Sequence, residues 1–165
     1  MKKSESIESV ATKPIRVLLA EDNTNFRKSL KLLIEVDGNI RVVGEAKNGS
    51  EAVSLAKSLK PEVIVMDIAM PLLNGLQATE KIKSASPDIR VVILSAHPDP
   101  EYVIQAMNFG ASGYLIKQSS TEFLGLAVRE ILKGRTYFSL SLPKQLRDEC
   151  QGIFDKDAAL KKKAA

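Results

Sequence analysis

The stretch Val63-Ile64-Val65-Met66-Asp67-Ile68-Ala69-Met70-Pro71 decides the fold. An apolar run without polar interruption meets a carboxylate, and a turn closed by Pro71 follows. Unbroken runs of this kind suit a central parallel strand covered on both faces. An aspartate at the C-terminal end of such a strand lies where open α/β sheets bind ligands. The earlier run Ile15-Arg16-Val17-Leu18-Leu19-Ala20 ends the same way, in Glu21-Asp22. Two carboxylate-tipped strands predict one acidic site.

Strand and helix patterns alternate outward from these two runs. Further strand-like segments are Arg41–Gly44, Arg90–Ser95 and Ser112–Ile116. The helix after the first strand carries Phe26, Leu30, Leu33 and Ile34 on one face, at helical spacing. The second covers Gly49–Leu59 with Ala52, Leu55, Ala56 and Leu59 inward, and the third runs from Leu76 to Ala85. The fourth, Pro100–Phe109, stops before Gly110, a natural left-handed cap. The fifth, Ser120–Lys133, is predicted to bury Phe123, Leu124, Ala127, Val128, Ile131 and Leu132 ahead of Gly134. Such β/α units predict a doubly wound, five-stranded parallel sheet of order 2-1-3-4-5 with right-handed crossovers. Strands one and three are then neighbours, so Glu21, Asp22 and Asp67 converge at the switch-point crevice.

Residues 1–14 carry no periodic pattern and are expected to be a flexible tail, as chain ends commonly are. Residues 15–133 form the domain, and residues 134–165 are expected to be a partly helical linker. Within it, Thr136-Tyr137-Phe138 can extend briefly, and Leu142–Ile153 offers a stripe of Leu142, Leu146, Cys150 and Ile153. Asp155–Ala165 has helix-forming composition but little to bury.

Composition narrows the class. With 165 residues, 44% hydrophobic and 27% charged, the chain is that of an ordinary globular domain rather than a disordered one. The net charge of +4 is modest, and much of it sits at the termini in Lys2, Lys3 and Lys161-Lys162-Lys163. Solvated tails account for it better than a nucleic-acid surface. A single cysteine, Cys150, cannot form an internal disulfide, which fits a reducing compartment. No apolar run approaches the ~20 residues that span a bilayer, and Lys2-Lys3 precede no apolar secretory segment. The expectation is a cytoplasmic protein without a membrane role. Asn74-Gly75 signals a turn, and His97, the sole histidine, is expected to be a solvated loop residue close to the site.

Carboxylates gathered in one crevice repel each other unless a cation neutralises them. All-oxygen ligation favours a hard divalent ion such as Mg²⁺, which keeps several waters. Such a site can bind a phosphoryl donor with one carboxylate as nucleophile. Phosphoryl transfer depends on positioning and charge neutralisation, so a cation and a hydroxyl are expected nearby. Ser95 ends Val91-Val92-Ile93-Leu94-Ser95, and Lys117 follows Gly113-Tyr114-Leu115-Ile116.

The ordered set of acidic pair, central Asp, Ser and Lys over Ile15–Lys133 resembles the receiver domains of two-component response regulators, of CheY-like fold. Val65-Met66-Asp67-Ile68-Ala69-Met70-Pro71, Asn74-Gly75-Leu76, Leu94-Ser95-Ala96-His97 and Gly110-Ala111-Ser112-Gly113-Tyr114-Leu115-Ile116-Lys117 look most like the NarL/FixJ-like, LuxR-type branch. The resemblance implies that Asp67 accepts a phosphoryl group from a sensor histidine kinase. It implies that Asp22 and Asp67 bind Mg²⁺ directly with the Ala69 backbone carbonyl, while Glu21 acts through water. Lys117 would pair with Asp67 or the phosphoryl oxygens, and Ser95 would couple the phosphoryl group to Tyr114, the switch aromatic. Two features depart from the commonest pattern: the pair is Glu-Asp rather than Asp-Asp, and Gln118 stands where many receivers carry proline. Pro98 and Pro100 stiffen the loop after Ser95, and the small Ala96 leaves the phosphoryl group accessible.

The function expected is a response regulator receiver, not an enzyme beyond slow autodephosphorylation, controlling transcription through a DNA-binding domain absent from this chain. A stand-alone receiver acting through protein contacts or a phosphorelay is the alternative. A HAD-type aspartyl-phosphate hydrolase is remote, because Asp67 is followed by Ile68-Ala69 rather than by x-Asp. No GxxxxGK loop is present either. Phosphorylation is expected to drive homodimerisation, through the first and fifth helices or through helix four, strand five and helix five. Mg²⁺ binding is expected to weaken below roughly pH 4–5 as the carboxylates protonate.

Overall fold

The computed structural model describes residues 13–36 and 38–164; most of the predicted N-terminal tail lies outside them. Six parallel strands form one sheet in the order β2-β1-β3-β4-β5-β6. They are β1 (Ile15–Ala20), β2 (Ile40–Ala46), β3 (Val63–Met66), β4 (Arg90–Ser95), β5 (Gly113–Ile116) and β6 (Tyr137–Phe138). The expected order is present, and the brief extension at Thr136–Phe138 becomes a sixth strand on the β5 edge. Gly113 permits this approach, because a Cβ there would stand 2.5 Å from the Tyr137 carbonyl oxygen.

Local chemistry starts each helix. Asn23, Asn48 and Asn74 cap α1 (Thr24–Glu35), α2 (Gly49–Leu59) and α3 (Gly75–Ala85), each side chain accepting from a first-turn N–H. Gln77 completes a capping box with Asn74. Pro100 opens α4 (Pro100–Asn108) from a position where its missing N–H costs nothing. The expected fifth helix is divided: a turn α5 (Lys117–Ser120), a 3-10 turn (Thr121–Phe123), then α6 (Leu124–Leu132). Thr121 Oγ1 donates to the Lys117 carbonyl at 2.6 Å, an interaction that competes with regular helix geometry.

Alternate strand residues face opposite layers. Val17, Leu19, Val63, Val65, Val92 and Leu94 pack against α1 and α6. Leu18, Ile64, Met66, Ile93 and Tyr114 pack on the side of α2, α3 and α4. Two expected core residues differ: Leu33 is 43% and Phe123 42% exposed. Phe123 sits in the 3-10 turn, whose tighter winding rotates it off the α6 stripe. On α1 the buried face runs through Arg27, Leu30 and Ile34 instead of Leu33.

The C-terminal helix α7 spans Lys144–Ala164, longer than the Leu142–Ile153 expected. Leu142, Leu146 and Cys150 are buried, Ile153 packs beside them, and all share the apolar cluster of Val103, Ala106 and Met107 on α4. The segment therefore contributes to the domain core. Leu142→Ala is expected to lower unfolding free energy by about 2–5 kcal/mol. Urea denaturation should show this with a single transition; a second transition would mean that α7 unfolds separately.

Candidate functional site

The pairings of β1 with β3 and with β2 continue past the strand ends and fix the acidic residues. Asp67 N–H donates to the Ala20 carbonyl at 2.9 Å, and Glu21 N–H to the Ala46 carbonyl at 3.0 Å. Glu21 and Asp67 are buried while Asp22 is exposed, and one carboxylate oxygen of each lies within 4.8 Å of the others. The turn after Asp67 is tight, with the Met70 and Gly75 N–H groups both donating to the Ile68 carbonyl. Ala69 sits on its outer side, and an open cavity of about 580 Å³ runs from Asp22 past Ala69 to His97 and Tyr102.

Lys117 enters from the end of β5. Its Nζ donates to Glu21 Oε2 at 2.9 Å and Asp67 Oδ2 at 3.1 Å, and it lies 4.8 Å from the centre of the Phe26 ring. The ring face adds a cation–π attraction. Burial opposes the Lys117 charge, but the hydrogen bond to Glu21 and the Asp67 charge outweigh it and hold the ammonium above its ordinary value. Burial, reinforced by the adjacent Asp67 carboxyl, pushes Glu21 up to about 7 despite Lys117.

Ser95 and Tyr114 meet at the neighbouring strand ends. Ser95 is buried, and its Oγ accepts from the His97 N–H at 3.0 Å. The Tyr114 hydroxyl donates to the His97 carbonyl at 2.6 Å. Burial raises the Tyr114 phenol to about 12, so it stays a donor throughout the physiological range. The His97 side chain is half-exposed beside Asp99, as expected of a loop residue, but its backbone joins the serine and the tyrosine.

Glu21, Asp22, Asp67 and Lys117 are thus gathered in one place, with Ser95 and Tyr114 linked on the adjoining strands. Three further residues shape the site. Arg27, buried on α1, donates to the Glu21 carbonyl at 2.7 Å and to Glu45 Oε1 at 3.1 Å. Asn23 N–H donates to Glu21 Oε1 at 3.2 Å, and Phe26 covers Lys117. Arg27 had a legible signal: a charge three and seven residues before Leu30 and Ile34, in phase with their stripe.

The donor set fits a hard divalent cation, since three carboxylates converge around the single ammonium of Lys117, which pairs with Glu21 and Asp67. Ionising Glu21 in the metal-free chain is unfavourable because burial raises its folded pKa above the ordinary carboxylate range. The stability it contributes is complete below about pH 4.5 and is lost as pH rises toward 7. Cation binding favours the ionised form and releases that proton. Mg²⁺ affinity is therefore expected to fall by up to about tenfold per pH unit below 7, a higher window than the pH 4–5 expected from unperturbed carboxylates. Calorimetric titration in buffers of different ionisation enthalpy checks this; absence of proton release at pH 6.5 would refute it.

Comparison with known proteins agrees with this architecture. Residues 17–129 match the family described as the response regulator receiver domain. The transcriptional regulatory protein DegU of Brevibacillus brevis is 33% identical over 150 residues, covering 91% of this chain and 64% of that protein. The response regulator GacA of Pseudomonas aeruginosa is 35% identical over 133 residues, covering 80% of this chain and 62% of that protein. This chain thus spans less than two thirds of either relative. The crystal structure of a LuxR-family two-component response regulator from Aurantimonas sp. superposes with a TM-score of 0.78 at 31% identity, over 83% of this chain and 98% of that one. No described helix is long and apolar enough to cross a membrane. The chain belongs to the response regulator receiver domain family, among relatives of the LuxR/NarL type.

Proposed function

We propose that Asp67 accepts a phosphoryl group from a sensor histidine kinase and that this switches a transcriptional regulator. The carrying observation is the Lys117 ammonium bridging Glu21 and Asp67 inside an acidic trio at the switch point of a parallel sheet. Asp22 and Asp67 would hold Mg²⁺ with the Ala69 carbonyl, and Glu21 would act through water. When bound, the ion supplies charge neutralisation for the phosphoryl oxygens.

Asp67 provides the attacking oxygen, and its bond to the transferred phosphorus forms as the donor's bond breaks. Lys117 holds Asp67 in place and faces the incoming charge, while burial keeps competing water away. Ser95 donates its hydroxyl to a phosphoryl oxygen, and the His97 backbone carries its movement to Tyr114. Phosphorylation biases a pre-existing equilibrium of the 95–99 loop and α4.

Residues 15–133 carry the receiver's switch, and 134–165, which pack onto it through β6 and the first half of α7, lead on to a DNA-binding output domain that is not part of this chain, in a cytoplasmic regulator. Names of relatives such as "transcriptional regulatory protein" support that output. Homodimerisation is assigned to the face of α1 and α6, where Leu33, Phe123 and Leu126 are exposed.

The test is intact mass after incubation with Mg²⁺ and acetyl phosphate. The wild-type chain should gain a single phosphoryl group, and Asp67→Asn none. A wild-type chain that binds Mg²⁺ yet never gains the group overturns the proposal.

A further inference from the structure

The segment after α6 is joined to two parts of the fold that the proposed switch would move relative to each other. Along the β5 edge, Tyr137 N–H donates to the Ser112 carbonyl and Ser139 N–H to the Tyr114 carbonyl. The Ser139 hydroxyl accepts from the Ile116 N–H at 2.8 Å. These bonds fasten the start of the segment to the strand that carries Tyr114 and leads into Lys117. The first half of α7 then packs on α4, with Leu146 and Cys150 among Val103, Ala106 and Met107.

The position of α4 is set by the loop before it. Asp99 makes no side-chain cap, and Pro98 and Pro100 leave the connection little slack. That loop is held by the His97 N–H on Ser95 and the Tyr114 hydroxyl on the His97 carbonyl. Drawing Ser95 toward a phosphoryl group on Asp67 pulls on both bonds and on α4, while β5 remains fixed in its ladder. Well-packed surfaces change between discrete arrangements rather than stretching. Beyond Asp155 the helix is almost wholly exposed, with only Ala158 half-buried, so its second half adds little grip.

We propose that α7 is this domain's own occupant of the α4–β5 face, and that phosphorylation of Asp67 unseats it and opens that face. The inference rests on Asp67 being the phosphoacceptor. By reciprocity, loosening α7 should also favour the phosphorylated state.

The chain carries its own reporter. Cys150 is the sole cysteine, it is fully buried on the inward face of α7, and burial pushes its thiol up to about 11. A seated thiol is therefore slow to react. The experiment treats the full chain with Mg²⁺, acetyl phosphate and N-ethylmaleimide and follows intact mass. One spectrum separates phosphorylated from unphosphorylated molecules and reports the labelled fraction of each. The phosphorylated population is expected to label at least about fivefold faster, the lower end of ordinary coupling between sites. Equal or slower labelling overturns the inference and leaves the phosphoacceptor reading intact. A spectrum without phosphorylated molecules overturns that reading instead, and the inference with it. Without acetyl phosphate, Leu146→Ala should also label faster than wild type; unchanged labelling would show that the α7 seat does not protect the thiol and overturns the proposal.

Discussion

Lys117→Met is expected to slow phosphoryl uptake from acetyl phosphate by about 10²–10³-fold, the range seen when a preorganised charge-stabilising donor is removed. The same substitution should tighten Mg²⁺ binding, because it removes a positive charge that sits 2.9 Å from Glu21 and 3.1 Å from Asp67. Opposite signs for the two effects separate this role from simple misfolding, which would weaken both. Without metal the variant leaves two buried carboxylates without their cation, an arrangement that typically costs about 3–5 kcal/mol. Glu21 limits that loss by holding its proton, since the variant lacks the neighbouring positive charge that lowers its pKa. Lys117→Arg should not restore the rate: a planar fork does not reproduce a compact ammonium seated between two carboxylates and over the Phe26 ring. Mass-resolved time courses and calorimetric Mg²⁺ titrations measure the pair of effects. A variant that is phosphorylated at the wild-type rate would remove Lys117 from the chemistry.

How much of this site could be read from the chain depends on which link each residue belongs to. Glu21, Asp22, Asp67, Ser95 and Lys117 were legible because each interrupts or ends an apolar run, and parallel strands deliver their C-terminal ends to one edge. The strand order followed from the spacing of the units, and β1–β3 adjacency brought the acidic residues together. The role of Arg27 depends on reach: the guanidinium crosses from α1 to the Glu21 carbonyl and Glu45. Its phase with Leu30 and Ile34 marks the inward face, but periodicity does not say what the guanidinium reaches. Phe26 was placed on the inward face, yet its contact with Lys117 joins residues from opposite ends of the domain, which no local pattern encodes.

The fold departed from expectation where tertiary contacts outweigh local pattern. β6 has only Tyr137 and Phe138, too short for strand periodicity, and depends on Gly113 allowing close approach. The break at Thr121–Phe123 arises from a side-chain hydrogen bond to the Lys117 carbonyl, against a sequence that continues the helical pattern. The stripe Leu142, Leu146, Cys150 and Ile153 was visible, but the α4 surface it covers was not. Amphipathic spacing indicates that a helix has a partner without identifying it.

Gly75→Ala should be the most damaging small substitution in the domain, although it changes no group in the proposed chemistry. A Cβ at position 75 would stand 1.9 Å from the Asp67 carbonyl oxygen and 2.9 Å from the Ile68 Cα. Both neighbours are backbone, so no side chain can rotate away. The Gly75 N–H donates to the Ile68 carbonyl at 2.9 Å, and opening the turn breaks that bond. It also displaces the Asn74 cap, whose side chain accepts from Gln77 N–H. Alanine's better helix propensity offsets only about 1 kcal/mol. The expected net loss is about 4 kcal/mol or more, in the exceptional range for a single substitution. Urea unfolding measures it, and phosphoryl uptake on Asp67 should fall with it even under conditions where the variant is folded. The reason is geometric: the turn that must open carries Asp67 at its start and Ala69 within it, so relieving the clash moves the nucleophile away from Glu21 and Lys117. A stable Gly75→Ala chain that is phosphorylated normally would show that this turn has room the packing does not reveal, and that Asp67 is positioned by β3 alone.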